Sequence, residues 1–183
     1  TEASKELQKK VDELRQSQNA NRPAVEQVIE NQIGHELVDA GLQFSGKPMP
    51  PVQFTFVEPP KKLVVSPRDH IETRYGEMVA AQMPLGAMQQ SENAIRNQFN
   101  LSAYITNIGG LGAFPTMVID RASLAWILNT VAHEWTHNYL AFFPLGLNYF
   151  ANPDMTTINE TVAELVGSEI GDRALRAFYP EDA

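Results

Sequence analysis

The run RASLAWILNTVAHEWTHNYLAFF, residues 121–143, constrains this chain more than any other stretch. Its only charges are Arg121 and Glu134, and Pro144 and Gly146 end it. A helix this long, apolar over roughly two thirds of its surface, must be wrapped by the remainder of the chain. Yet its middle carries His133 and His137, two of only four histidines in 183 residues. On a helix, positions i and i+4 share a face, with Cβ atoms about 5–6 Å apart. Buried imidazoles need partners. These two are either satisfied core histidines or two ligands of one metal ion, with Glu134 beside them.

The rest of the chain is large enough to supply the wrapping. At 183 residues and 43% hydrophobic it predicts one sizeable core. The formal charge is −8, from 22 acidic and 14 basic residues, with no strongly basic block, so a nucleic-acid partner is not expected. There are no cysteines, which removes thiol nucleophiles and cysteine-based metal sites. Metal ligands must then be His, Asp or Glu. No apolar run reaches the roughly 18–20 residues of a membrane span. The chain opens on Thr1 rather than methionine, so a signal or a membrane tether outside the given chain can precede it.

Residues 2–18, rich in Glu, Lys and Gln, place Leu7, Val11 and Leu14 on a narrow stripe and predict a largely exposed helix, either a stalk or short coiled coil or a helix packed once on the domain. NANRP at 19–23 reads as a break, and Pro23 as the opening of a second helix bearing Val25, Val28, Ile29, Ile33, Leu37 and Val38, ended by Gly41. The expected division is therefore an exposed appendage over 1–22 and a domain over 23–183. Within the second helix, HELVD begins like a metal motif but has Asp39 where a second histidine belongs, so His35 reads as a surface or capping residue.

Strands are predicted at 52–58 and 63–66, helices at 69–82 and 91–98, then strand, glycine loop and strand over 102–108, GGLGAFP and 116–120. His70 falls near a helix start and reads as capping or solvent-facing. GGLG lacks the lysine of a phosphate loop and reads as a turn. Asp120 is the expected cap of the 121–143 helix. A last helix is expected over 156–177, opened by Thr156 or Thr157. The order is α+β: N-terminal helices, a small antiparallel or mixed sheet packed on the histidine helix, then a second long helix.

His133-Glu134-Trp135-Thr136-His137 is a His-Glu-x-x-His motif. Both imidazoles can bind one tetrahedral zinc, and Glu134 lies close enough to serve as general base toward a zinc-activated water. A third protein ligand is needed. The Gly and His that follow the motif in metzincins are replaced here by Leu140 and Phe143. A Glu from the next helix is the other common solution, and INETVAEL supplies Glu160, with Glu164 four residues on.

HEWTH followed by INETVAE resembles the gluzincin clan of zinc metallopeptidases, whose thermolysin-like members carry His-Glu-x-x-His, then Asn-Glu on the next helix, then an acid four residues later. The resemblance covers residues 130–164 and implies a zincin-like fold, one zinc per chain, Glu160 as third ligand and Glu164 as the acid bonded to His133. It also implies a peptide or protein substrate. The chain is also similar to a group of bacterial membrane-associated proteins with this signature, which implies association with a membrane through a segment absent from this chain. No region aligns with the C-terminal lobe of thermolysin, and no histidine follows His137 to act as that family's downstream oxyanion donor.

Tyr149, in GLNYF between the two metal segments, stands at nearly the offset of a family tyrosine. It is either an oxyanion donor or an ordinary core aromatic; Tyr104, Tyr139 and Tyr179 are the other tyrosines considered. Gly109 to Thr116 is the expected edge for an extended peptide, or else a plain connection. Two rival functions stay open: a catalytically silent zinc-binding domain serving as a partner-binding or scaffold module, and a zinc hydrolase acting on bonds other than peptides.

Overall fold

The computed structural model describes residues 2–182 and is α+β. Among the described residues five helices and six strands run in the order α1 (Glu2–Asp39), β1 (Phe54–Phe56), β2 (Lys61–Ser66), β3 (Tyr75–Val79), α2 (Leu85–Phe99), β4 (Ser102–Thr106), β5 (Gly110–Leu111), β6 (Thr116–Val118), α3 (Leu124–Leu140), α4 (Pro144–Leu147) and α5 (Pro153–Phe178). None of these helices is long and apolar enough to cross a membrane.

α3 is the centre of the main core. Ile127, Leu128, Val131, Ala132 and Trp135 pack with Ile29, Ile33 and Leu37 of α1, Phe54 and Phe56 of β1, Val118 of β6 and Ile170 and Ala174 of α5. Removing each large aliphatic chain from water contributes about 1.5–3 kcal/mol. The covering sheet is mixed, in the order β1-β6-β5: β1 runs parallel to β6, and β5 antiparallel. The outer edge of β1 is closed by α1. The Phe54 N–H donates to Glu30 Oε1 at 2.9 Å and the Phe56 N–H to Glu26 Oε1 at 2.6 Å. Two helix carboxylates thus take the place of a neighbouring strand.

A second, antiparallel sheet, β3-β2-β4, packs Leu63, Val65, Ala103 and Ile105 against Met88 and Ile95 of α2. The expected strand–glycine loop–strand unit is therefore not one hairpin. β4 pairs with β2, and β6 with β1, because the apolar faces of the two strands belong to different cores. The glycine segment forms β5 instead of a bare turn.

Several other expectations are corrected. α1 is one helix of 38 residues, about 57 Å at 1.5 Å per residue, with Pro23 inside it. The predicted break at 19–23 is bridged by side chains: Gln18 and Arg22 both donate to Asp120. That engagement also takes Asp120 away from capping α3. Ser123 caps instead, accepting from the Trp126 N–H at 3.3 Å. Residues 69–82 are not a helix, because β3 is recruited as the antiparallel neighbour of β2. His70 lies exposed in the preceding loop, 2.9 Å from both Asp69 and Glu72. α2 begins earlier than 91, after Pro84. α5 begins at Pro153, capped by Asn152, whose Oδ1 accepts from the Met155 N–H at 2.9 Å. His35 is on the surface as expected, 3.5 Å from Asp39.

α3 and α5 form the most extensive helix pair. The buried face of α5 is Asn159, Ala163, Gly167, Ile170, Gly171 and Ala174. A Cβ on Gly167 would stand 2.8 Å from His133 Cβ and 2.9 Å from the Asn129 carbonyl. Gly167→Ala should gain about 0.5–1 kcal/mol of helix propensity and lose about 1–3 kcal/mol to overpacking. The net expectation is a Tm lower by roughly 2–4 °C per kcal/mol lost. Gly86→Ala, whose Cβ would meet nothing within 4 Å, is the control. A Gly167→Ala protein melting above the parent would contradict this account of the helix contact.

Candidate metal centre

α3 presents His133 and His137 on one face, and the close approach allowed by Gly167 brings the first turns of α5 against them. The two Nε2 atoms are 3.1 Å apart. Glu160 Oε2 lies 3.6 Å from His133 Nε2 and 3.5 Å from His137 Nε2. One ligand atom from each of the three residues lies within 4.8 Å of the others. A surface cleft of about 340 Å³, lined by His133, Glu160, Thr161, Glu164 and Leu165, opens beside them.

The outer ring nitrogens explain why the inner ones converge. His137 Nδ1 is 2.8 Å from Asn159 Oδ1, and Asn159 Nδ2 donates in turn to the Leu145 carbonyl at 3.3 Å. With its amide nitrogen donating, the Asn159 oxygen accepts, so His137 carries its proton on Nδ1. His133 Nδ1 lies 3.4 Å from Glu164 Oε2, close enough for the carboxylate's charge to favour a proton on that nitrogen. Both rings then turn Nε2 lone pairs toward each other and toward a carboxylate. At 3.1 Å such lone pairs repel unless a proton or a metal cation lies between them. The donor set therefore fits a divalent metal ion.

Electrostatics agree with that geometry. His133, then His137, hold the Glu160 carboxyl well below the usual carboxylate range. Burial pushes the His137 imidazole down, but the hydrogen bond and charge of Glu160 outweigh it and the net shift is upward. Glu134 points elsewhere. It is 8% exposed, and burial pushes its carboxyl up, with His137 and His133 pulling part of the way back. Its oxygens lie under the glycine segment: a Cβ on Gly112 would stand 3.4 Å from Glu134 Oε2, and one on Gly110 would overlap the carboxylate. Only glycine lets β5, the edge strand of its sheet, pass this close to the acid.

Tyr149 reaches the cluster from the α4–α5 connection. Its hydroxyl donates to Glu160 Oε1, and its ring stands edge-on to His137 at 6.0 Å between centroids. Burial, then Glu160, pushes the phenol pKa up. The other tyrosines considered lie elsewhere: Tyr104 is exposed on β4, Tyr139 stacks on Trp135, and Tyr179 donates to Gln32. All six residues singled out in the sequence, His133, Glu134, His137, Tyr149, Glu160 and Glu164, thus fall in one neighbourhood. Asn159 was missed as a site residue. Its signal was its place immediately before Glu160, on the apolar face of α5, where a polar side chain needs a partner. No family model, curated protein or solved structure matches this chain.

Proposed function

We propose that this protein is a zinc-dependent peptidase with a zincin-like arrangement: a mixed sheet over a His-Glu-x-x-His helix, followed by a helix carrying the third ligand. One observation carries the reading: two Nε2 atoms and a carboxylate oxygen converge, next to a separate buried carboxylate, Glu134, that none of the cluster needs as a ligand. His133, His137 and Glu160 would hold the ion. The 3.1 Å between Nε2 atoms is near the roughly 3.3 Å expected for two imidazole nitrogens on a tetrahedral zinc with bonds of about 2.0–2.1 Å. When bound, zinc supplies Lewis acidity that polarises a carbonyl and acidifies water.

The chain's own residues do the rest. Glu134, with its carboxyl raised by burial, is suited to take a proton from the attacking water on its carboxylate oxygen and return it to the leaving amine. Tyr149, whose hydroxyl donates to Glu160 Oε1, supports the ligand carboxylate. The edge of β5, over Glu134, offers main-chain groups to an extended peptide. The test is hydrolysis of a mixed peptide library. Cleavage should disappear on chelation and return on adding about one equivalent of zinc per chain. Cleavage that persists through exhaustive chelation would exclude the reading.

A further inference from the structure

The two oxygens of Glu160 are treated differently. Oε2 faces both imidazoles, at 3.6 and 3.5 Å, whereas Oε1 accepts the Tyr149 hydroxyl. Tyr149 is itself fixed from several sides. The Thr156 hydroxyl donates to its carbonyl at 2.6 Å, its N–H donates to the Gly146 carbonyl at 3.1 Å, and its ring packs edge-on against Phe150 at 4.7 Å as well as against His137. The hydroxyl is therefore delivered to Oε1 by a pinned turn and the first turn of α5. A carboxylate with one oxygen so engaged has one good donor atom left.

We propose that Tyr149 is a positioning residue for metal selection: by engaging Glu160 Oε1 it restricts the carboxylate to one-oxygen binding. The inference rests on the metal-site reading above. Two nitrogens and a single oxygen suit a four-coordinate ion with one place open. Release of Oε1 would permit two-oxygen binding, which raises coordination number and favours larger, oxygen-seeking ions such as calcium or manganese.

The experiment is a chelator-competition titration of zinc, with visible absorption of the cobalt(II)-substituted protein, on the full chain and on Tyr149→Phe. Phenylalanine keeps the ring and removes only the hydroxyl. Zinc affinity should fall about 10–100-fold, and the intense cobalt band of four-coordination should weaken toward that of a higher coordination number. In a Glu160→Ala background the same substitution should change the residual zinc affinity less than about threefold, because the group it acts on is gone. A purely structural tyrosine would lower affinity equally in both backgrounds, and that result overturns the proposal. So do a parental zinc affinity and an unchanged cobalt spectrum in Tyr149→Phe. A parent chain that binds no zinc overturns both this inference and the peptidase reading, whereas a zinc-binding parent with an indifferent Tyr149→Phe overturns this inference alone. Should Tyr149→Phe fail to fold, Thr156→Val, which frees the tyrosine carbonyl without touching its ring, must also lower zinc affinity; an unchanged value overturns the proposal.

Discussion

Glu134→Gln is expected to keep the metal and lose peptide hydrolysis by roughly two or more orders of magnitude. Glutamine has nearly the shape of glutamate, so it fits the slot beneath Gly110 and Gly112. It cannot accept a proton. The parental carboxylate is 8% exposed, and burial raises its pKa, with His137 and His133 opposing the shift. Glutamine also removes a buried charge, so the variant should fold at least as well as the parent. The measurement is a pair: zinc content by elemental analysis and kcat/KM on a peptide cleaved by the parent. Full activity in a zinc-loaded Glu134→Gln protein would place the chemistry on another residue.

The second large effect is on metal content. His133→Ala, His137→Ala and Glu160→Ala should each lose most of the bound zinc, because each removes one of only three donor atoms in a cluster spanning 4.8 Å. Glu164→Ala and Asn159→Ala act one bond further out, through the Nδ1 atoms of His133 and His137. They should weaken binding by about 10–100-fold without abolishing it. Asn159 is 1% exposed and its amide also ties the α4 segment through Leu145, so its substitution should lower Tm as well, whereas the exposed Glu164 should not. Equilibrium dialysis of the five variants in parallel gives the ranking. Loss at Glu164 equal to loss at His133 would mean that the acid is itself a ligand.

The site was more legible than the fold, for a physical reason. Metal ligation needs particular residue types at helical spacing, and both halves of the site lie on helices, where sequence spacing converts directly into geometry. His133 and His137, or Glu160 and Glu164, are read from a period of 3.6. Strands carry no such information about their partners. β4 and β6 both read as strands from the sequence, yet nothing local distinguishes the strand that pairs with β2 from the one that pairs with β1.

The 69–82 stretch resembles a surface helix because its charges, Asp69, Glu72, Arg74 and Glu77, are all exposed; only β2 placed beside Tyr75–Val79 makes that part a strand. NANRP reads as a break with Pro23 opening a new helix, but Gln18 and Arg22 anchor the flanking turn to Asp120, a residue 98 positions beyond Arg22, and one helix runs through. That same distant contact removed Asp120 as the cap of α3. Asn152-Pro153 was a better helix-start signal than the threonines chosen, since Asn leads at N-caps and Pro is pre-set for the first helical position.

The central claim is that one ion sits among His133 Nε2, His137 Nε2 and Glu160 Oε2. X-ray absorption fine structure on the zinc-loaded chain tests it most directly, with Glu160→Ala measured alongside. The account predicts two imidazole nitrogens at about 2.0–2.1 Å and light oxygen donors at about 2.0–2.2 Å, with one oxygen lost or replaced by solvent in the variant. A first shell without histidine scattering, or an identical shell and full zinc content in Glu160→Ala, would contradict it.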